Sequence, residues 1–159
     1  MSTFRVKEAF ANFEIALALQ SENIDLQSVT VQSLAYILVS ESHQEIVNTL
    51  EEFEKKFPLM QSNESFISLQ MLAYLNIGEE KFDFEKPAEA EIFFKKFENL
   101  HKLNPNISVH YEEIGDAYSA AAVYYFKRNN KNTAKIWLNR GLEASPDNYQ
   151  LMYRLRAIE

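Results

Sequence analysis

The sequence of 159 residues contains no cysteine, so it can form neither a disulfide framework, nor a zinc ribbon, nor a catalytic thiol. Glycine and proline are also scarce, with three and four residues respectively. A β-sandwich or β-barrel needs many tight turns, and so few turn-forming residues cannot supply them. The composition therefore favours long, uninterrupted helices.

Long apolar runs are also missing. The longest, at residues 120–126, is far shorter than the roughly 20 residues of a transmembrane helix, and the N-terminus lacks the apolar stretch of a signal peptide. With 47% hydrophobic and 25% charged residues, the composition is that of a folded protein. We expect a single domain over residues 1–159 and a cytoplasmic location, although a secreted fragment without its leader would look the same.

Acidic residues outnumber basic ones by 23 to 16, which gives a net charge of −7 and argues against binding to nucleic acid or to an anionic membrane. The charge is unevenly distributed. Residues 1–126 hold nine basic and twenty acidic residues, a net of −11, whereas residues 127–159 hold seven and three, a net of +4. This indicates either ordinary solvated helix faces or a basic end that docks on an acidic surface.

Apolar residues recur at helical spacing, and the pattern predicts eight helices and no strand. The first is an amphipathic helix over residues 4–22. Ser42 and Glu45 have the spacing of a capping box at a helix start. Gly78 is expected to end a helix in the left-handed conformation. Pro87 is expected to open the next helix, and a last helix is expected over residues 146–158, with the Ser145 hydroxyl as its cap.

Three prolines divide the chain into helical hairpins. Pro58, Pro105 and Pro146 lie 47 and 41 residues apart, which indicates a repeat. The predicted hairpins span residues 26–58, residues 62–105 with an insertion at 79–86, and residues 108–146. Such hairpins stack because one alone cannot bury its own apolar face.

The third hairpin carries a specific pattern of small and aromatic residues. The residues at its key positions are Tyr118, Ala121, Ala122, Tyr125, Ala134, Leu138, Gly141 and Pro146. In this pattern the chain resembles tetratricopeptide-repeat proteins, clearly over residues 115–148 and in degenerate form over 26–105. Ala121 and Gly141 depart from the leucine and alanine that are usual in the family.

The resemblance implies an all-α fold in which antiparallel hairpins stack as a short right-handed solenoid. The residues that pack the repeat would be Tyr118, Ala122, Tyr125, Ala134, Leu138, Gly141 and Pro146. In this family the first helix of each hairpin lines a concave face, and the corresponding groove positions are Leu69, Leu72, Leu75, Asn76, Asp116, Ser119, Val123, Phe126 and Lys127. Alternatively, the N-terminal helix or packing between hairpins covers this surface.

No residue pattern indicates catalysis, so we expect no enzyme, cofactor or metal site. The histidines His43, His101 and His110 do not form a zinc-binding H-E-x-x-H pattern. Glu98 and His101 have the E-x-x-H spacing of di-iron bundles, but the second such motif is missing. The competing hypothesis is an enzyme or ligand-binding domain that uses His110 together with Glu113 and Asp116.

The expected function is that of an interaction module or adaptor that binds a peptide or helix of a partner protein on its concave face. The family's Lys/Asn/Arg clamp for a peptide carboxylate is absent, and the remaining groove positions are mainly apolar. Two alternatives stay open: a small acidic chaperone of the secretion type, and the regulatory domain of a larger protein. Neither nucleic acid nor a membrane is an expected partner.

Overall fold

The computed structural model describes residues 3–107 and 111–158, with side chains from Lys7 onward. Within these ranges it contains eight α-helices, one 3-10 helix at Pro58–Ser62 and no strand, which confirms the predicted helical class and helix number. The helices are α1 (Thr3–Leu19), α2 (Ile24–Leu38), α3 (His43–Lys56), α4 (Glu64–Asp83), α5 (Pro87–Leu103), α6 (Tyr111–Lys127), α7 (Lys131–Ala144) and α8 (Tyr149–Ile158).

Local signals account for several helix ends. The Ser42 side chain accepts a hydrogen bond from the Glu45 amide at 3.3 Å and so caps α3, as predicted. Pro87 occupies the first turn of α5, where a missing amide costs no hydrogen bond. The same helix ends at Leu103, ahead of Pro105. These three boundaries confirm the predictions made from the sequence.

Gly78 does not end a helix, and this prediction was wrong. It lies inside α4, which continues to Asp83 through most of the expected insertion. A Cβ at position 78 would lie 2.8 Å from Phe94 Cε2, so the glycine permits close packing against α5. The left-handed residue is instead Glu85, with φ 59°, and the Lys86 amide donates to the Lys81 carbonyl at 2.8 Å.

The last helix begins at Tyr149, three residues later than predicted. Ser145 still belongs to the end of α7, because its amide donates to the Gly141 carbonyl at 2.9 Å. Asn148 is the capping residue of α8, and its side chain accepts from the Leu151 amide at 3.2 Å. Asn148 is completely buried, so tertiary packing selects it over the serine.

The chain forms two compact units, Met1–Gln70 and Met71–Glu159. In the first unit α1 packs along α2, a pairing that the sequence did not predict. The Phe10 and Phe53 rings lie 5.9 Å apart, and they bring α1 against α3. The Asn63 side-chain amide donates to Gln27 at 3.2 Å, and this buried glutamine also donates to the Ser21 carbonyl.

The second unit is built around an aromatic core. The Trp137 ring lies 4.8 Å from Phe94 and 5.1 Å from Phe82, centroid to centroid, and Tyr118 is completely buried beside it. Helix α6 packs along α7, and α8 packs on both. Over residues 3–107 and 111–158, no helix has the length and apolar character needed to cross a membrane.

Candidate functional site: a groove between α6, α7 and α8

The α6–α7 hairpin depends on a close approach between its helices. Tyr118 and Ala134 are completely buried, and Leu138 is nearly so. At position 141 a Cβ would lie 2.9 Å from Tyr118 Cβ, so only glycine fits here without displacement of a neighbour. Tyr125 is half-buried, and Pro146 is exposed just beyond the end of α7.

Polar contacts fix the start of α8 beside the start of α6. The Asn148 side chain donates to the Tyr111 carbonyl at 2.8 Å, and the Tyr111 hydroxyl donates to the Asp147 carbonyl at 2.9 Å. The Tyr149 amide in turn donates to that hydroxyl. Gln150 donates to Asp116 at 3.0 Å. The starts of the two helices are therefore adjacent, and residues nearer their C-terminal ends line a single groove, which is described next. Helices α6 and α8 thus run side by side in the same direction.

The far ends of these helices form an apolar groove of about 240 Å³. We call it the C-terminal groove. Its edges carry two exposed aromatic side chains, Phe126 at 43% exposure and Tyr153 at 66%. The groove is lined by Ala122, Val123 and Phe126 of α6, Ala134 and Leu138 of α7, and Tyr153, Arg154, Ala157 and Ile158 of α8. Arg154 is the one charged residue among them.

A second polar site joins α5, α6 and α7. Arg140 donates from Nε to Glu98 and from a terminal nitrogen to Glu91, both at 2.8 Å, and its guanidinium lies 4.0 Å from the Trp137 ring centroid. Tyr118 donates its hydroxyl hydrogen to Glu98 at 2.8 Å. We call this group the arginine network. It borders an open cleft of about 270 Å³ that also includes His101 and Glu143.

Burial and charge set the ionisation of the arginine network. Burial alone would lower the pKa of Arg140, but its hydrogen bonds to Glu98 and Glu91 outweigh this effect and raise the pKa. Burial raises the pKa of Tyr118 well above its usual value, and the negative charge of Glu98 raises it further. Arg140 therefore stays charged and Tyr118 stays neutral. In these states both side chains keep the hydrogen bonds that connect α5, α6 and α7.

The structure does not assemble a metal site in the part of the chain that it describes. No group of three or more potential ligands is found there, and Glu98 of the E-x-x-H pair is held by Arg140 and Tyr118. Of the residues in the enzyme hypothesis, His110 lies outside the described residues. Asp116 accepts the hydrogen bond from Gln150.

The predicted groove residues on α6 fall into two groups. Val123 and Phe126 line the C-terminal groove, and Lys127 is exposed directly after them. Asp116 is exposed but bonded to α8. Ser119 is buried because α8 packs alongside α6, so the prediction of an accessible side chain does not hold at this position.

The predicted groove residues on α4 are mostly covered. Leu75 is completely buried and is therefore not accessible to a partner, which corrects that prediction. Leu69, Leu72 and Asn76 are half-buried. None of these four residues lines the C-terminal groove.

Sequence reasoning missed the contribution of α8 to the groove. Tyr153 and Ala157 are one helical turn apart, and this spacing was the available signal for a shared face. The last helix was predicted from the sequence, but none of its residues was assigned to a binding surface. No protein-family model, curated protein or solved structure matches the chain.

Proposed function

We propose that this protein is a helical-hairpin interaction module of the tetratricopeptide-repeat type, and that it binds an α-helix of a partner protein in the C-terminal groove. The groove itself carries the proposal: it has an apolar floor, and its edges present the exposed rings of Phe126 and Tyr153. At protein interfaces, aromatic residues beside an apolar depression commonly contribute a large share of the binding energy.

Burial in the α6–α7 hairpin supports the repeat arrangement. Tyr118, Ala121 and Ala134 occupy positions of the repeat pattern and are completely buried. Helix α8 lies alongside α6 in the same direction, as the first helix of a following hairpin would. In a short right-handed solenoid of this kind, the face of α8 that lines the C-terminal groove is available to a further helix.

The groove suits a helix better than an extended peptide. Its three walls are helices, whose backbone groups are already hydrogen-bonded within each helix, so no sheet edge is available for pairing. A bound helix satisfies its own backbone groups and needs only to contribute apolar side chains. An adaptor, a secretion-type chaperone and a regulatory domain could all use such a site, and they would differ in the partner.

Selection of helical peptides tests the proposal directly. A display library of amphipathic helices is selected on the purified full chain, and the affinities of the selected peptides are then measured for variants. We expect Phe126→Glu and Tyr153→Glu each to weaken binding by roughly tenfold or more, because each places a charge in an apolar contact.

Two exposed apolar residues outside the groove lining provide matched controls. Ile136 on α7 is 56% exposed and Tyr149 on α8 is 71% exposed. We expect Ile136→Glu and Tyr149→Glu to bind the selected peptides as the parent does, with circular dichroism confirming that all four variants fold. If the groove and control variants lose affinity equally, the groove assignment is wrong.

A further inference from the structure

The helical segments that form the C-terminal groove carry charge of one sign only. Residues 122–127, 131–138 and 153–158 contain five basic residues and no acidic residue, although the whole chain has a net charge of −7. The five are Lys127, Lys131, Lys135, Arg154 and Arg156. The groove therefore combines an apolar floor with a cationic surround.

Two of these cations lie directly at the groove. Arg154 is part of its lining, and Lys131 Nζ lies 6.0 Å from the centroid of the exposed Phe126 ring. Lys127 is exposed immediately after that ring. Within the described residues, none of these three basic residues forms an ion pair.

The helix dipole accounts for the position of Lys127 but not for the positions of Lys131 and Arg154. Lys127 is in the last turn of α6, where a positive charge is favoured by the helix dipole. Lys131 is the first residue of α7, where the dipole disfavours a positive charge. Arg154 lies in the interior of α8, away from either end. Because neither Lys131 nor Arg154 forms an ion pair within the described residues, their charges are available for contact with a ligand.

We infer that the occupant of the C-terminal groove is an amphipathic helix whose apolar stripe is flanked by acidic side chains. The inference rests on the proposed function and specifies the chemistry of the partner. Apolar side chains of the partner helix would fill the groove between Phe126 and Tyr153. Its carboxylates would meet Lys131 and Arg154 at the rim, where charge complementarity sets partner choice and association rate more than total affinity.

The shape of the groove favours a protein helix over a membrane surface. Membrane-binding elements present a continuous apolar face that enters the bilayer. Here the apolar surface is a depression between three helices and not a continuous face. An acidic protein helix meets the local cations and fits the depression.

Three synthetic helices test the inference. They share one apolar stripe and carry glutamate, glutamine or lysine at the flanking positions, and fluorescence anisotropy measures their binding to the full chain. We expect the glutamate peptide to bind about tenfold more tightly than the glutamine peptide at low salt, since each exposed ion pair contributes roughly two- to fivefold. The lysine peptide should bind most weakly, and about 0.5 M salt should reduce the differences.

Charge reversal shows whether the peptide preference depends on the cations at the groove or on the net charge of the whole chain. The double variant Lys131→Glu, Arg154→Glu should prefer the lysine peptide over the glutamate peptide. The control is Lys55→Glu, Lys102→Glu, which changes net charge equally at two exposed positions outside the groove and should keep the parental preference.

Failure of the inference and failure of the proposed function give different results. Equal binding of all three peptides, still weakened by Phe126→Glu, would overturn the acidic partner and keep the groove. Two other results would overturn the acidic partner helix: flotation of the chain with phosphatidylserine vesicles that is lost in the double reversal variant, and a dimer by light scattering that Tyr153→Glu dissociates. Absence of any groove-dependent peptide binding would contradict the proposed function itself.

Discussion

The two units of the molecule pack their helices by different means. In Met1–Gln70, bulky side chains such as Leu34 and Leu50 fill the core, and the unit contains no glycine. Met71–Glu159 contains all three glycines and the only tryptophan. At Gly78 and Gly141 a helix approaches so closely that a Cβ would clash with a neighbouring side chain. The close approach of helices at Gly78 and Gly141 therefore coincides with glycines in the sequence, a feature that the first unit lacks.

The units also differ in charge. The first has four basic and ten acidic residues, whereas the second has twelve and thirteen. Both units have exposed apolar residues, such as Val39 in the first and Tyr153 in the second. In the second unit, exposed apolar residues coincide with unpaired cations around a groove, and this combination makes it the candidate interaction surface.

The largest expected effect comes from the aromatic core of the second unit. Trp137 is 3% exposed and contacts four aromatic rings, so Trp137→Ala should lower the free energy of unfolding by about 3–5 kcal/mol. Phe53→Ala is the counterpart in the first unit, where Phe53 is 4% exposed. Hydrogen exchange should show lost protection mainly in the unit that carries each substitution. Equal loss in both units for both variants would contradict the division into units.

The next largest loss of stability is expected when the arginine network is broken, and an exposed ion pair of the first unit provides the comparison. The Arg140 side chain is 20% exposed and bonds two carboxylates, whereas Lys56, which pairs with Glu14 at 2.9 Å, is 57% exposed. Arg140→Ala should cost about 2–3 kcal/mol, because it leaves Glu98 without its cation and Glu91 with only the more distant Lys95. Lys56→Ala should cost less than about 1 kcal/mol. Urea denaturation measures both, and similar losses would show that the arginine network contributes no more than a surface pair.

A smaller effect is expected at the contact between α7 and its neighbours. At position 141 an added Cβ would lie 2.6 Å from Leu151 Cδ1 and 2.9 Å from Tyr118 Cβ. Gly141→Ala should therefore destabilise by about 1–2 kcal/mol, even though alanine favours the helix by about 1 kcal/mol. In a Leu151→Ala background the same change should cost less, since its nearest neighbour has been removed. A cost that is unchanged in that background would contradict the proposed steric cause.

The smallest effect is a loss of stability at alkaline pH. Burial raises the pKa of Tyr118 in the folded protein, so above about pH 10 the unfolded chain releases this proton first and gains stability. The free energy of unfolding should fall as pH rises beyond 10, by up to about 1.4 kcal/mol per pH unit from this residue. Tyr118→Phe should reduce the slope, whereas Tyr36→Phe, at an exposed position of the first unit, should leave it unchanged.

Sequence patterns predict those parts of the fold that depend on neighbouring residues. The eight helices follow from apolar periodicity, and the cap at Ser42 depends on a contact three residues away. Gly78 was misassigned because its role depends on Phe94, on another helix. Asn148 replaces Ser145 as the cap for a similar reason, since its burial depends on contact with Tyr111.

The candidate site was predictable to a similar extent. Val123 and Phe126, which line the C-terminal groove, were predicted from the resemblance of one hairpin to a repeat family. Tyr153 and Arg154 were missed because the packing of α8 on α6 depends on polar contacts between residues more than 30 positions apart, such as Gln150 with Asp116. Arg140 of the arginine network bonds carboxylates that are still further away along the chain, and adjacent sequence gives no signal for these bonds.

The most direct test of the central claim is a chemical-shift map of the full chain with the glutamate-flanked helical peptide. Methyl signals of Val123, Leu138 and Ile158 should shift on titration, whereas those of Ile15 and Val39, which are exposed apolar residues of the first unit, should not. Shifts confined to the C-terminal groove would agree with a helix-binding site there. Shifts centred on the first unit, or spread equally over both, would contradict it.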